Sequence, residues 1–183
     1  MTNTALILIV VVVVAAIVVL WWGYASRKRA QLRARFGPEY DRTLKDVGTP
    51  RKADALLDAR ARRVGRYTIR PLSPEEHERF LTAWQRLQAR FVDDPAGAVA
   101  EADVLVADLM DTRGYPTSDF DHRAEDVSVD HPDVVQHYRE AHAIAVHHAR
   151  GGTSTEELRK AIVHYRAIFD DLLDVRERVR KPA

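Results

Sequence analysis

The apolar positions fall into one unbroken run followed by several interrupted ones. From Ala5 to Trp22, 18 consecutive residues carry no charged or hydroxyl-bearing side chain, and Val, Ile and Leu dominate. At 1.5 Å per residue a helix of that length spans about 27 Å, close to the ~30 Å hydrocarbon thickness of a bilayer. Valine is a poor helix former in water. In lipid every backbone amide must be bonded within the segment, so a helix is the solution open to a single span. Trp21, Trp22 and Tyr24 close the run, where amphipathic rings prefer the headgroup layer and serve as membrane-anchoring residues.

Beyond the run the pattern changes to a helical period. Ser26 to Phe36 is expected to carry the first helix on into water, until Phe36-Gly37-Pro38 breaks it, with Gly as C-cap and Pro opening the next helix. A second break falls at Val47-Gly48-Thr49-Pro50. From about Arg51 to Arg66 a basic helix is predicted with Leu56, Leu57, Ala61 and Val64 along one narrow side, and Tyr67 to Pro71 reads as an extended linker. Ser73-Pro74-Glu75-Glu76 is a capping box with Pro at the first helical position, followed by Phe80, Trp84, Leu87 and Phe91 on one face. Asp94-Pro95 starts another helix, with Val99, Ala102, Val106, Leu109 and Met110 as its stripe and Gly114 as its end.

The next stretch, Thr117 to His131, is polar, with one short helix expected around Phe120 to Val127. His131-Pro132 opens a helix carrying Val135, Tyr138, Ala141, Ala145 and Val146 up to Gly151-Gly152. A second capping box, Ser154 to Glu157, opens the last helix, in which Leu158, Ile162, Tyr165, Phe169 and Leu172 share a side. Strand-like alternation is confined to a few residues near Thr68-Ile69. The expected fold class is therefore all-α: an N-terminal transmembrane helix (1–25), a basic juxtamembrane segment and linker (26–70), and a soluble bundle of about four main helices (71–183).

Charge changes this picture more than composition does. The net formal charge is +1, but Arg27 to Arg70 holds 14 basic against 5 acidic residues, and Pro71 to Ala183 holds 14 against 22. A basic segment next to the span precedes an acidic body. No Lys or Arg precedes the run, whereas Arg27, Lys28, Arg29, Arg33 and Arg35 follow it closely. The positive-inside rule then places the N-terminus outside and the domain in the cytoplasm, in the cell (inner) membrane. The five cations are candidates for contact with anionic lipid, at about 1 kcal/mol each near the surface. For Arg51 to Arg66, lipid attraction and docking on the acidic body are equally supported. A cleaved signal peptide is the rival to the anchor, since Gly23-Tyr24-Ala25 has the small-x-small pattern. It lacks a basic n-region, and its apolar core is longer than usual.

Chemistry is thinly represented. The chain has no cysteine, which excludes thiolate nucleophiles, disulfides and CxxC zinc sites. Five of eight histidines lie between His131 and His148, but His137, His142 and His147 are five apart and rotate by about 140° at each step along a helix. The aligned His–carboxylate pairs are Asp133 with His137 and His122 with Asp126. Asp121-His122 and Asp130-His131 present the pair of HD phosphohydrolases in reverse order and without flanking ligands. There is no Gly-rich phosphate loop, GxSxG elbow or HExxH; His77-Glu78 lacks a second His. No catalytic residue, metal ligand or cofactor is nominated. The basic stretch lacks interleaved aromatics, so nucleic acid is not favoured as a partner. Phe80, Trp84 and Phe91 read as core, and the turn Arg113-Gly114-Tyr115-Pro116 with the loop after it is the place to seek a partner site.

The segments Gln88 to Pro95, Ala98-Val99, Glu101-Ala102-Asp103, Leu105-Val106, Arg113 to Pro116 and Ser128 to Pro132 resemble a family of bacterial single-span, membrane-anchored helical proteins without an assigned activity. The resemblance covers about Pro71 to Leu173 and implies a bacterial origin and a shared fold, with no catalytic residue to carry over. The leading expectation is a membrane-tethered, non-enzymatic interaction domain, with the lipid bilayer and a protein partner or a second copy as its contacts. The alternative is a metal- or ligand-binding enzyme using His and Asp residues around 122–142.

Overall fold

In the computed structural model the chain is all-helical. The structure describes residues 2–116, 119–152 and 154–174, with the side chains of 2–10, Val18, Trp21 and Ala25 outside the description. Among the described residues there are eight helices and no strand: α1 (Thr2–Phe36), α2 (Pro38–Val47), α3 (Pro50–Val64), α4 (Pro74–Arg90), α5 (Pro95–Thr112), α6 (Phe120–Val127), α7 (Val135–Ala149) and α8 (Thr155–Leu173). They fall into two compact units, 1–58 and 59–183, the boundary lying within α3.

In the first unit, α1 runs without a break through the apolar segment into its basic continuation. It is long and apolar enough to cross a membrane by length and composition. Every described side chain from Val11 to Leu20, and that of Trp22, is exposed. Both expected breaks are present. Gly48 ends α2 in the left-handed conformation at φ 74°, and its N–H bonds the Leu44 carbonyl. Leu32, Phe36, Tyr40, Ala53 and Leu57 are buried, and the Tyr40 hydroxyl donates to Asp54 at 2.8 Å.

The second unit contains the helices that the capping boxes announced. In α4 and α8 the Ser side chain accepts from the N–H three residues on, and the glutamate there accepts from the Ser N–H. The closest packing joins α7 to α8, α5 to α8 and α4 to α5, so α8 contributes to both sides of the interior. Trp84 of α4 stacks on Phe169 of α8 at 4.6 Å between centroids, and Tyr138 meets Tyr165 edge-on at 6.3 Å. Phe80, Trp84 and Leu87 are buried as core residues, as are the five stripe positions of α5.

Three local expectations need correction. Leu56 is 49% exposed, whereas Arg60 takes its place on the buried side of α3 with Ala53, Leu57 and Val64. Those four recur at steps of four, three and four, a straighter stripe than the one containing Leu56. Helix α7 starts at Val135 and not at His131-Pro132: residues 132–134 form a turn in which the His131 carbonyl accepts from the N–H groups of Val134 and Val135. Phe91 is only partly covered, since α4 ends at Arg90 and Phe91 is its C-cap.

Candidate functional site

Several of the basic residues that follow the apolar run are engaged within the first unit. Lys28 pairs with Asp58 at 2.9 Å, Arg29 with Asp54 at 3.2 Å, and Arg33 with Asp41 at 3.5 Å while its guanidinium lies over the Tyr40 ring. Arg27 is exposed, and the Arg35 guanidinium lies 5.9 Å from the Phe36 ring centroid. Trp22 and Tyr24 are 72% and 69% exposed; the Trp21 side chain lies outside the described residues. The charge count therefore overstates what is left for other partners, because at least three of the five cations have a carboxylate of their own chain.

At the other end of α3 the alternatives separate. Arg63 reaches Asp126 through Nε at 2.7 Å and Glu125 through Nη2 at 3.0 Å, and Arg60 reaches Glu125 at 3.1 Å and the Ser128 hydroxyl at 3.2 Å. Tyr67 also donates to Asp126, at 3.0 Å. These two arginines dock on the acidic body. Burial acts against the Glu125 carboxylate, but the hydrogen bond from Arg63 and the charges of Arg60 and Arg63 outweigh it and hold the acid below its ordinary value.

The histidines do not gather into one centre. His122 bonds its helix cap Asp119 at 2.7 Å, and Asp126 is occupied by Arg63 and Tyr67, so the sequence-aligned pair of His122 with Asp126 does not form. His142 stacks flat on Phe120 at 3.6 Å between centroids. Its Nδ1 lies 3.5 Å from an Asp103 oxygen that accepts from Tyr165, too far and too poorly aligned for a hydrogen bond. His131 is buried and hydrogen-bonded to buried Asp171 of α8. Asp130, next to it, accepts from the Tyr115 hydroxyl at 3.0 Å.

This last group corrects the expectation of a surface turn at 113–116. Arg113 and Tyr115 are 3% and 2% exposed. Arg113 donates to the Leu172 carbonyl at 2.9 Å, and its own carbonyl accepts from the Arg70 N–H at 2.9 Å. Burial works against the charged Arg113 guanidinium and lowers its pKa, with the Asp130 charge opposing, whereas burial and the Asp130 charge both raise the Tyr115 phenol and keep it neutral. The turn is an internal clasp joining the end of α5, the 67–71 connection and the end of α8. Thr117 and Ser118, at the start of the loop beyond it, lie outside the described residues. Beside the clasp is a shallow groove of about 600 Å³ bordered by Arg70, Glu76, Arg79 and Asp111. Its acid Glu76 is held down to about 2, chiefly by the Arg70 hydrogen bonds at 2.7 and 2.8 Å and by the Ser73 N–H.

One cluster has the composition of a metal centre. His137 and Glu140 are three apart on α7, and His164 comes from α8. The two Nδ1 atoms are 2.9 Å apart, the rings stack at 5.1 Å, and His164 Nε2 is 3.4 Å from Glu140 Oε2. One ligand atom from each residue can be chosen so that all three lie within 4.8 Å of one another. Without an ion the arrangement holds as a hydrogen bond between imidazoles, one donating and the other accepting. The aligned pair of Asp133 with His137 is replaced by this contact across helices. His164, 27 residues away, carried no spacing signal; the i, i+3 relation of His137 and Glu140 was the one visible clue. No protein-family profile, curated protein or solved structure matches this chain.

Proposed function

We propose that the chain is a single-pass bacterial membrane protein whose second unit is a helical-bundle interaction module held at the cytoplasmic face of the inner membrane. The observation that carries this reading is the exposure of α1: its described side chains between Val11 and Trp22 all face outward from the protein. Leaving Val, Ile or Leu in water costs about 1.5–3 kcal/mol per side chain relative to burial. Such a run calls for an apolar surrounding that the chain does not supply. Arg27 and its basic neighbours follow the run, where the positive-inside rule favours a cytoplasmic location. The acidic excess of residues 71–183, and polar groups tied up in pairs and caps, suit a protein-binding role more than a reaction centre.

The absence of cysteine makes the test clean. Asn3→Cys and Val163→Cys each introduce one thiol, the second at a 61% exposed position on α8. On intact spheroplasts an impermeant maleimide should label the first and reach the second only after permeabilisation. The reverse pattern would overturn the orientation, and recovery of the chain in the soluble fraction after carbonate washing would overturn the span. For the interaction role, crosslinked partners of the full chain should differ from those of a chain lacking residues 2–25. Identical sets would remove the tether from the function.

A further inference from the structure

The geometry points to a divalent metal site of the zinc class at His137, Glu140 and His164, clasping α7 to α8. The donor set is two imidazole nitrogens and one carboxylate oxygen, a combination that suits late first-row divalent cations and leaves a coordination position for water. The spacing is near what such an ion needs. Zn–N bonds of about 2.0–2.1 Å in tetrahedral geometry put ligand atoms about 3.3 Å apart. His164 can give an ion only one of its two nitrogens: Nδ1 lies 2.9 Å from His137 Nδ1, and Nε2 lies 3.4 Å from Glu140 Oε2, so one of these distances is a ligand edge and the other contact is made by movement of the side chains. The longest edge, at most 4.8 Å, must close by about 1.5 Å. Glu140 is 44% exposed and can supply that movement by a rotamer change.

A neighbour orients the acid. Gln136, one turn before Glu140 on α7, donates to Glu140 Oε1 at 3.1 Å and leaves Oε2 directed at His164. Metal-ligating carboxylates are held in this way by hydrogen bonds from outside the ligand set. The ligands come from the two helices in closest contact, so an ion here would cross-link the unit's main interface.

The test uses the full chain in detergent micelles, stripped with chelator and titrated with Zn²⁺ against a chromophoric competitor. Binding of one Zn²⁺ per chain is expected, with affinity reduced at least ~10-fold in His137→Ala and His164→Ala, and unchanged in His122→Ala. In parallel, long-range ¹H–¹⁵N spectra of the wild-type imidazoles should show Zn²⁺ shifting His137 and His164 among the eight histidines. Those spectra decide the matter if a variant loses its helical circular dichroism. Absence of binding, equal binding by His164→Ala, or shifts confined to other histidines such as His147 and His148 would overturn the site.

Discussion

Replacing Arg63 with alanine asks whether the basic helix is held by the acidic body or reserved for lipid. Asp126 is 5% exposed at its side chain, and Arg63 is 32% exposed. Removing Arg63 deletes the 2.7 Å bond from Nε and the second Nη2 contact to Asp126, and leaves that buried carboxylate with the Tyr67 hydroxyl at 3.0 Å. Breaking a fully buried pair from one side costs about 3–5 kcal/mol. Partial exposure of the guanidinium and the surviving Tyr67 bond reduce this to about 2–3 kcal/mol. Trp84 is the natural reporter, being buried against Phe169, and Trp21→Phe with Trp22→Phe makes it the sole tryptophan of three. Urea unfolding of that background in micelles should show a midpoint lowered by about 1–1.5 M, for a slope of about 2 kcal/mol per M. Arg63→Lys keeps the charge, loses the fork and should fall between. The contact of Arg63 with Glu125 sets an acid dependence: with Glu125 held below its ordinary value, its contribution is complete above about pH 4.3 and disappears as the pH falls through the lowered value. Arg63→Ala should weaken that dependence. An unchanged midpoint, accompanied by weaker binding to anionic vesicles, would refute the docking argument and return Arg63 to the lipid surface.

Three further outcomes are expected. Asp171→Ala removes the buried partner of His131 and should destabilise the second unit by about 3 kcal/mol in the same urea assay; a change below about 1 kcal/mol would show that the pair contributes little. Gly114→Ala should cost at least about 2 kcal/mol, because Gly114 has φ 97° and an added Cβ would lie 2.4 Å from the Thr68 carbonyl oxygen. Wild-type stability in that variant would mean the turn relaxes freely. Glu76 should titrate near 2 by carboxyl ¹³C NMR, so that its contribution to stability persists below pH 4.3 and is lost towards pH 2. In Arg70→Ala the midpoint should rise towards the ordinary value, and an unmoved midpoint would assign the shift to the helix cap alone.

The local elements were legible in the chain because their causes are local. Pro38, Pro50, Pro74 and Pro95 each open a helix, Gly37 and Gly48 separate α1, α2 and α3, and two capping boxes start α4 and α8. The stripes of α5 and α8 follow from a 3.6-residue period alone, and the continuous α1 follows from an apolar run with no proline before Pro38. The contacts between elements were not legible, because periodicity tells which side of a helix is apolar and not which neighbour it meets. Arg113 and Tyr115 read as a surface turn, and only the approach of the α8 terminus buries them. The charge asymmetry was visible, but pairing of Lys28 with Asp58 and Arg63 with Asp126 depends on separations of 30 and 63 residues.

The same division governs the candidate metal centre. Spacing along α7 correctly set His137, His142 and His147 on different sides, since five residues do not complete whole turns. It could say nothing of His164, whose place beside His137 is settled by the packing of α8 on α7. By itself the sequence determined the helices and the apolar run, because backbone hydrogen bonding and side-chain period act over a few residues. Tertiary structure decided which charges are neutralised, which turn is interior and which histidines meet, because each depends on groups far apart in the chain being brought within a few ångströms.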